Sequence, residues 1–108
     1  MKVFISGKMT GIEDYNRPLF NKVEKELIEK GHTVLNPAIL PEGLETADYR
    51  RICKAMIQSS DCLLLLKGWE DSIGANEELD MANDMNKKIF LYRMEEVDNE
   101  VISNRPSK

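Results

Sequence analysis

A run of five consecutive apolar residues, Cys62 to Leu66, constrains the fold of this chain more than any other feature. A strand that is apolar on both faces is typical of the centre of a parallel sheet, where helices cover both sides. The run is far shorter than the ~20 apolar residues that cross a bilayer, so it does not indicate a membrane span. The sequence therefore predicts an α/β protein built around this segment.

Segments with strand and helix character alternate along the rest of the chain. In the first helix, apolar residues recur at helical spacing between Phe20 and Ile28. Asn16 can cap the start of this helix, and Gly31 can end it in a left-handed conformation. The pattern predicts strands at residues 3–6, 32–35, 62–66 and 89–92, and helices after Asn16, from Thr46 or Asp48, and from about 75 to 86.

This order of elements predicts a small flavodoxin-like or Rossmann-like fold. It is a three-layer sandwich with a four-stranded parallel sheet in the strand order 2-1-3-4. Residues 1–94 are expected to form the domain, and residues 95–108 a polar C-terminal arm. Ligands of such sheets bind beyond the carboxyl ends of the strands, near the point where the strand order reverses. We therefore expect the site in the loops at 7–14, 36–45 and 67–74 and in the stretch after Arg93.

Composition narrows the functional classes. The chain has 108 residues, with 15 Lys+Arg against 19 Asp+Glu and a formal net charge of −4. This balance disfavours binding of a nucleic-acid polymer through a basic face. The two cysteines, Cys53 and Cys62, are interpreted as reduced core thiols, and the first residues do not resemble a secretory leader. We expect a cytoplasmic domain without a membrane partner.

Glu78 is the candidate reactive residue. On a helix, Ala75, Leu79 and Ala82 define the buried face, and Glu78 lies within roughly 70° of its centre. A carboxylate on such a face is costly unless it is paired or faces a cleft. The alternative, that Glu78 merely flanks the stripe and reaches water, is about as probable from periodicity alone. The neighbouring Glu77 is predicted to point away as an ordinary solvated acid.

Two glycine-containing loops can hold a ligand. Before the third helix, Ser72 and the free amides of the helix start suit an anion, and Gly74 allows a close approach to the backbone. The simpler interpretation is that Ser72 is only an N-cap and that Gly74 eases the turn. The loop after the first strand carries Gly7 and Lys8, but it lacks the spacing of a nucleotide-binding P-loop or a dinucleotide fingerprint. It remains a weak candidate for binding a phosphate or sugar hydroxyls.

The remaining candidates are weaker. Trp69 lies in a loop and can stack on a planar base, although covering the core is the commoner role of a single tryptophan. His32 is interpreted as structural, because no metal-ligand cluster accompanies it, and the sequence predicts neither a metal site nor a cofactor. The sequence contains no Gly-x-Ser-x-Gly motif, so it does not indicate an α/β-hydrolase. A flavin carrier is disfavoured because no aromatic pair flanks the expected ring position.

Five segments together resemble the nucleoside 2-deoxyribosyltransferase-like superfamily, in its small, often phage-encoded branch. They are FISGKMTG at 4–11, YNRPLFN at 15–21, GHTVLNP at 31–37, DCLLLL at 61–66 and GWEDSIGANEEL at 68–79. The match extends to about Arg93. The superfamily includes transferases that exchange the base of a nucleoside and hydrolases that cut the N-glycosidic bond of deoxynucleoside 5′-monophosphates.

The resemblance implies roles for several residues. The glutamate four positions after the glycine of a Gly-x-x-x-Glu stretch attacks the anomeric carbon, and counting from Gly74 reaches Glu78. The first loop and the start of the third helix would hold the sugar and any 5′-phosphate. Relatives are often dimers with shared pockets, so Ser103 in the arm could reach the site of a neighbouring subunit. The residues implied as ligand contacts are Gly7, Lys8, Met9, Trp69, Ser72, Gly74 and Ser103.

The sequence departs from the pattern of this superfamily at three positions. Phe4 replaces a tyrosine, and Lys8 replaces a proline. Cys53 stands where many relatives carry an acid on the second helix. A thiol is a weak substitute for a carboxylic acid near pH 7. A second acid would then have to come from Asp71, which we favour, or from Glu70 or Asp48.

The sequence therefore predicts an enzyme that acts on the N-glycosidic bond of a nucleoside or nucleotide, with Glu78 as nucleophile and Asp71 as second catalytic residue. The partner is a small molecule, and a homodimer or higher homo-oligomer is expected. The alternative is a module on the same fold that binds a nucleotide or nucleotide sugar without turnover, because Cys53 replaces the expected acid.

Overall fold

The computed structural model describes residues 1–93, so the predicted arm and its Ser103 lie outside the described residues. Four strands alternate with three α-helices, and short 3-10 turns lie in three of the connecting loops. None of the described helices is long and apolar enough to cross a membrane. The elements are β1 (Lys2–Ser6), α1 (Arg17–Glu29), β2 (Thr33–Leu35), α2 (Thr46–Ser59), β3 (Cys62–Leu65), α3 (Ile73–Asp84) and β4 (Lys88–Leu91).

The four strands form one parallel sheet in the order β2-β1-β3-β4, as the sequence predicts. Alternate residues of β1 and β3 point to opposite faces of the sheet. Val3 and Ile5 pack in the cluster that contains the apolar face of α1, whereas Phe4 packs in the cluster that contains α2 and α3. The molecule therefore has the predicted three layers, with α1 on one face of the sheet and α2 and α3 on the other.

The apolar run forms the central strand β3. Cys62 and Leu64 face α1, whereas Leu63 and Leu65 face α2 and α3, and each of these side chains is at most 5% exposed. Burying each leucine contributes on the order of 2 kcal/mol. Because both faces of β3 are covered, every residue of the strand is apolar, which explains why the alternation typical of half-buried strands is missing.

The helix ends differ in detail from the prediction. Gly31 adopts the predicted left-handed conformation after α1, with a φ of 92°. Asn16 precedes α1, but its side chain does not cap the helix and instead donates a hydrogen bond to the Lys8 carbonyl oxygen. The physical reason is local, because Asp14, Tyr15 and Asn16 are all left-handed, with φ between 52° and 62°. This conformation turns the Asn16 amide towards the loop after β1.

Candidate functional site

A cleft of about 590 Å³ opens beyond the carboxyl ends of β1, β2 and β3, on the side of the sheet where a site is predicted. Its walls come from the loop after β1, the loop between β2 and α2, and the first turns of α2 and α3. Apolar and aromatic side chains provide much of the lining, with a few charged groups between them. The lining includes Gly7, Met9, Tyr15, Arg17, Leu40, Glu42, Leu44, Tyr49, Arg50, Cys53, Ser72, Gly74, Glu77, Glu78 and Met81.

Glu78 faces this cleft from the second turn of α3. Its carboxyl Oε1 accepts a hydrogen bond of 2.6 Å from Ser6 Oγ at the end of β1, and Ser6 is fully buried. Ala75, Leu79 and Ala82 form the buried face of α3, as predicted. The carboxyl group is therefore turned towards the sheet and the cleft. It does not merely flank the apolar stripe and extend into water.

Cys53 on α2 is the second hydrogen-bond partner of Glu78. The side chain is buried, and burial raises the pKa of the Cys53 thiol to about 12, with a further contribution from the charge of Glu78. The thiol therefore stays protonated at neutral pH and donates a hydrogen bond to the carboxylate. At this position the resemblance implies an acid, whereas this chain has a neutral donor.

These surroundings raise the pKa of Glu78 from its ordinary value of 4.5 to about 7. Burial is the main cause, and the negative charge of Glu77 adds to it, while the hydrogen bonds from Ser6 and Cys53 act in the opposite direction. A carboxyl group that titrates near neutral pH can act as a nucleophile when ionised and as a proton donor when protonated.

Two arginine–carboxylate pairs cross the rim of the cleft. Arg50 on α2 binds Glu77 on α3 through two hydrogen bonds, Nε to Oε1 at 3.0 Å and Nη2 to Oε2 at 2.7 Å. Arg17 at the start of α1 binds Asp14 at 3.0 Å and Glu42 at 3.3 Å. The guanidinium carbon of Arg17 also lies 5.1 Å from the ring centre of Tyr15. Arg50–Glu77 and Arg17–Glu42 each join two elements across the cleft, whereas Arg17–Asp14 is a local pair at the start of α1.

These pairs were not predicted; Glu77, interpreted from the sequence as an ordinary solvated acid, remains partly exposed but is paired with Arg50. The helical wheel correctly turns Glu77 away from the sheet, but α2 packs beside α3 on the same face of the sheet. The side of α3 that carries Glu77 therefore meets Arg50. The spacing of Arg50 one turn before Cys53 places both residues on one side of α2, which is the signal that could have suggested the contact.

The structure brings five of the predicted site residues together. Gly7, Met9, Ser72, Gly74 and Glu78 all line the cleft. Ser72 also caps α3, since its Oγ accepts a hydrogen bond of 3.1 Å from the Ala75 backbone N–H. A Cβ atom at Gly7 would lie 3.0 Å from the Leu66 Cβ, so a larger residue would crowd the core at this position.

The other predicted site residues lie elsewhere in the described part of the chain. Trp69 packs against the core cluster beneath α2 and α3 and does not line the cleft. Asp71 is exposed on the 3-10 turn before α3, and Lys8 is half-buried in the loop after β1. Asp48 accepts a hydrogen bond from the Glu45 backbone N–H and pairs with Arg51. Within residues 1–93, no group of three or more His, Cys, Asp or Glu residues is arranged to hold a metal ion.

Comparisons with known proteins add the following findings. A family model described as "Domain of unknown function (DUF4406)" matches residues 1–91. A search of curated proteins finds no match. The solved structures that resemble the chain include a 2-desoxiribosyltransferase from Leishmania mexicana, with a TM-score of 0.70 and 19% identity over 84% of this chain. This chain spans 63% of the length of that protein.

Two further solved structures are similar. A CMP N-glycosidase from Clostridium botulinum has a TM-score of 0.63 and 23% identity, covering 85% of this chain and 68% of that one. A 2-deoxyribosyltransferase from Bacillus psychrosaccharolyticus has a TM-score of 0.65 and 19% identity, covering 85% of this chain and 72% of that one. At these identities the likeness establishes a shared fold.

Proposed function

The chain belongs to the family described as a domain of unknown function, DUF4406, and has the nucleoside 2-deoxyribosyltransferase-like fold. From this premise we propose that it is an enzyme that breaks the N-glycosidic bond of a nucleoside or nucleotide. The observation that carries the proposal is the Glu78 carboxyl group, which lines a cleft of about 590 Å³ while Ser6 and Cys53 hold it in place. A cleft of this size is in the range that small-molecule ligands occupy.

In the proposed reaction, Glu78 attacks C1′ of a bound pentose. A bond forms between C1′ and the carboxylate oxygen while the bond from C1′ to the base nitrogen breaks, and the electron pair leaves with the base. The base takes up a proton from an acid, and water or a second base then attacks C1′ and releases Glu78. The pair of steps follows the retaining logic of glycosidases, in which a carboxylate traps an oxocarbenium-like centre.

The residues around Glu78 have supporting roles in this proposal. Gly7, Met9, Ser72 and Gly74 line the cleft where the sugar would lie. Lys8 and Trp69 stay predictions as contacts of the ligand. Ser103 also stays a prediction, as a residue that reaches the site of a second subunit in a homodimer, and a cytoplasmic location goes with these predictions.

The acid that protonates the leaving base is assigned to Asp71 as a prediction, because Cys53 cannot take this role. A thiol with a pKa of about 12 is too weak a proton donor to match a departing base at neutral pH. If Asp71 is the acid, Asp71→Asn slows the release of poor leaving groups and has little effect on a nucleoside with an activated base. Equal slowing of both substrates would assign the acid to another group.

The test is the release of free base from 2′-deoxynucleosides and their 5′-monophosphates, followed by chromatography. Glu78→Gln keeps the shape of the side chain and removes its nucleophilic charge, so base release is expected to fall by more than about 1,000-fold. The matched control is Glu29→Gln, which changes an exposed glutamate at the far end of α1. Base release that survives Glu78→Gln would contradict the assignment of Glu78.

Cys53 favours a second candidate function, a module that binds a nucleoside or nucleotide without turnover. The specific observation is that the side chain beside Glu78 is a neutral thiol donor. Thermal-shift measurements with nucleosides and nucleotides separate the two candidates. Stabilisation by a ligand without release of base supports the binding module, and restoration of turnover by Cys53→Asp would identify the missing acid as the reason.

A further inference from the structure

We propose that the cleft selects an uncharged nucleoside over the corresponding 5′-monophosphate. The inference rests on the proposed function, because it names the substrate class of the same site. It is carried by the pairing of the charged groups that line the cleft.

Among the described residues, each cation that lines the cleft is paired with a carboxylate, and Lys8, in the loop after β1, is not part of the lining. Its lining contains two guanidinium groups, those of Arg17 and Arg50, and three carboxyl groups, those of Glu42, Glu77 and Glu78. Arg50 is engaged by both oxygens of Glu77, and Arg17 is bound to Glu42 and to Asp14 outside the lining. An ionised Glu78 therefore leaves the cleft with an excess of negative charge, which repels a phosphate dianion.

A phosphate group would compete with carboxylates at both arginines. Arg50 already offers Nε and Nη2 to the two oxygens of Glu77, so a phosphate that took this bidentate position would only replace one anion by another. The displaced Glu77 would then lie next to the phosphate without its partner. Arg17 binds Asp14 and Glu42 through Nη1, so a phosphate at its remaining N–H groups would lie close to both carboxylates. The rim pairs also join α1 to the loop before α2, and α2 to α3, so breaking them loosens the walls of the cleft.

The start of α3 is the feature that opposes this conclusion. Its backbone amides and Ser72 hydroxyl can attract an anion. However, Glu77 and Glu78 lie within the first two turns of the same helix, and their charges offset the positive end of the helix dipole. The sugar and base meet a more suitable surface, because Met9, Tyr15, Leu40, Leu44, Tyr49 and Met81 line the cleft.

The experiment compares kcat/KM for base release from each of the four common 2′-deoxynucleosides with that for its 5′-monophosphate. We expect the nucleoside to be preferred by about 10-fold or more at low salt, and the preference to narrow at high salt because repulsion between exposed charges is screened. Glu77→Gln removes the carboxylate that pairs with Arg50, and Glu42→Gln removes one of the two carboxylates that pair with Arg17, which keeps Asp14. Each is expected to raise the kcat/KM of the monophosphate relative to the nucleoside, whereas Glu29→Gln leaves the ratio unchanged.

A monophosphate that the wild-type protein prefers would overturn the inference, and so would a ratio that neither rim variant moves. Either result leaves the proposed function intact, since base is still released. Release from neither substrate would contradict the proposed function instead. In that case the same pairs of ligands are compared by calorimetric titration, where tighter binding of the nucleoside supports the inference and tighter binding of the monophosphate overturns it.

Discussion

Glu78→Gln is expected to stabilise the protein at pH 8, although it removes the proposed nucleophile. The carboxyl group lies between Ser6, Cys53 and the buried face of α3, and ionising it there is costly. The amide of glutamine has no charge to bury, and its oxygen can still accept the hydrogen bond from Ser6 Oγ. The variant therefore keeps the hydrogen bond from Ser6, gives up the weak one from the Cys53 thiol, and avoids the cost of the charge.

The magnitude follows from the pKa of Glu78, which the fold raises from 4.5 to about 7. One unit of pKa corresponds to about 1.4 kcal/mol between the two protonation states, so ionisation costs the folded protein about 3 kcal/mol. The folded protein holds this proton more tightly than the unfolded chain does. Wild-type stability therefore falls as the pH rises from about 4.5 to 7. Glu78→Gln lacks this loss. The difference in free energy of unfolding between the variant and the wild type therefore grows from about pH 4.5 to 7 and is constant above pH 7.

The assay is urea unfolding at several pH values between 4.5 and 8, followed by circular dichroism and by the fluorescence of Trp69, the single tryptophan, which packs against the core. The difference between variant and wild type isolates Glu78, because other titrating groups are common to both. Glu29→Gln is the matched control for removing one negative charge. Stability curves of wild type and Glu78→Gln that run parallel over this pH range would refute the reasoning.

Three further predictions concern single positions and are measured by the same urea unfolding. Gly7→Ala is expected to destabilise the fold by about 1–3 kcal/mol, because its Cβ would lie 3.0 Å from Leu66; an unchanged midpoint would contradict this. For Gly74→Ala, the nearest atom to a new Cβ is 4.0 Å away, so the free energy of unfolding is expected to stay equal or to rise by up to about 1 kcal/mol. The rate of base release, measured separately by chromatography, is expected to fall. A large loss of stability would refute the prediction. Asn36→Ala is expected to cost about 1–3 kcal/mol, because the buried Asn36 side chain accepts from the Ala38 N–H at 2.8 Å; a neutral effect would show that water replaces this bond.

The strand order and the face of Glu78 could be predicted because they depend on local patterns. The run from Cys62 to Leu66 has no polar residue, so it could occupy only the covered centre of the sheet. The spacing of Ala75, Leu79 and Ala82 put Glu78 close to the buried face of α3, since helical geometry fixes which residues share a face, and left open whether its carboxyl group faces a cleft or water. Both inferences use residues that are close together in the chain.

The partners of Glu78 could not be predicted in the same way. Ser6 lies 72 residues away in the sequence, and its hydroxyl reaches the carboxyl group because β1 and α3 are packed together. The contact with Cys53 likewise needs α2 to lie beside α3. The resemblance indicated that position 53 matters, but it implied an acid there.

The sequence by itself determined the layers and the strand order, because the apolar central run and the alternation of strands and helices restrict how a parallel sheet can be connected. The tertiary structure decided that Glu78 faces the cleft, which side chains hold it, how far its pKa rises, and that Glu77 and Arg50 neutralise each other on the rim. These properties depend on distances between elements that are remote in the chain, and electrostatic and hydrogen-bond energies change steeply over a few ångströms.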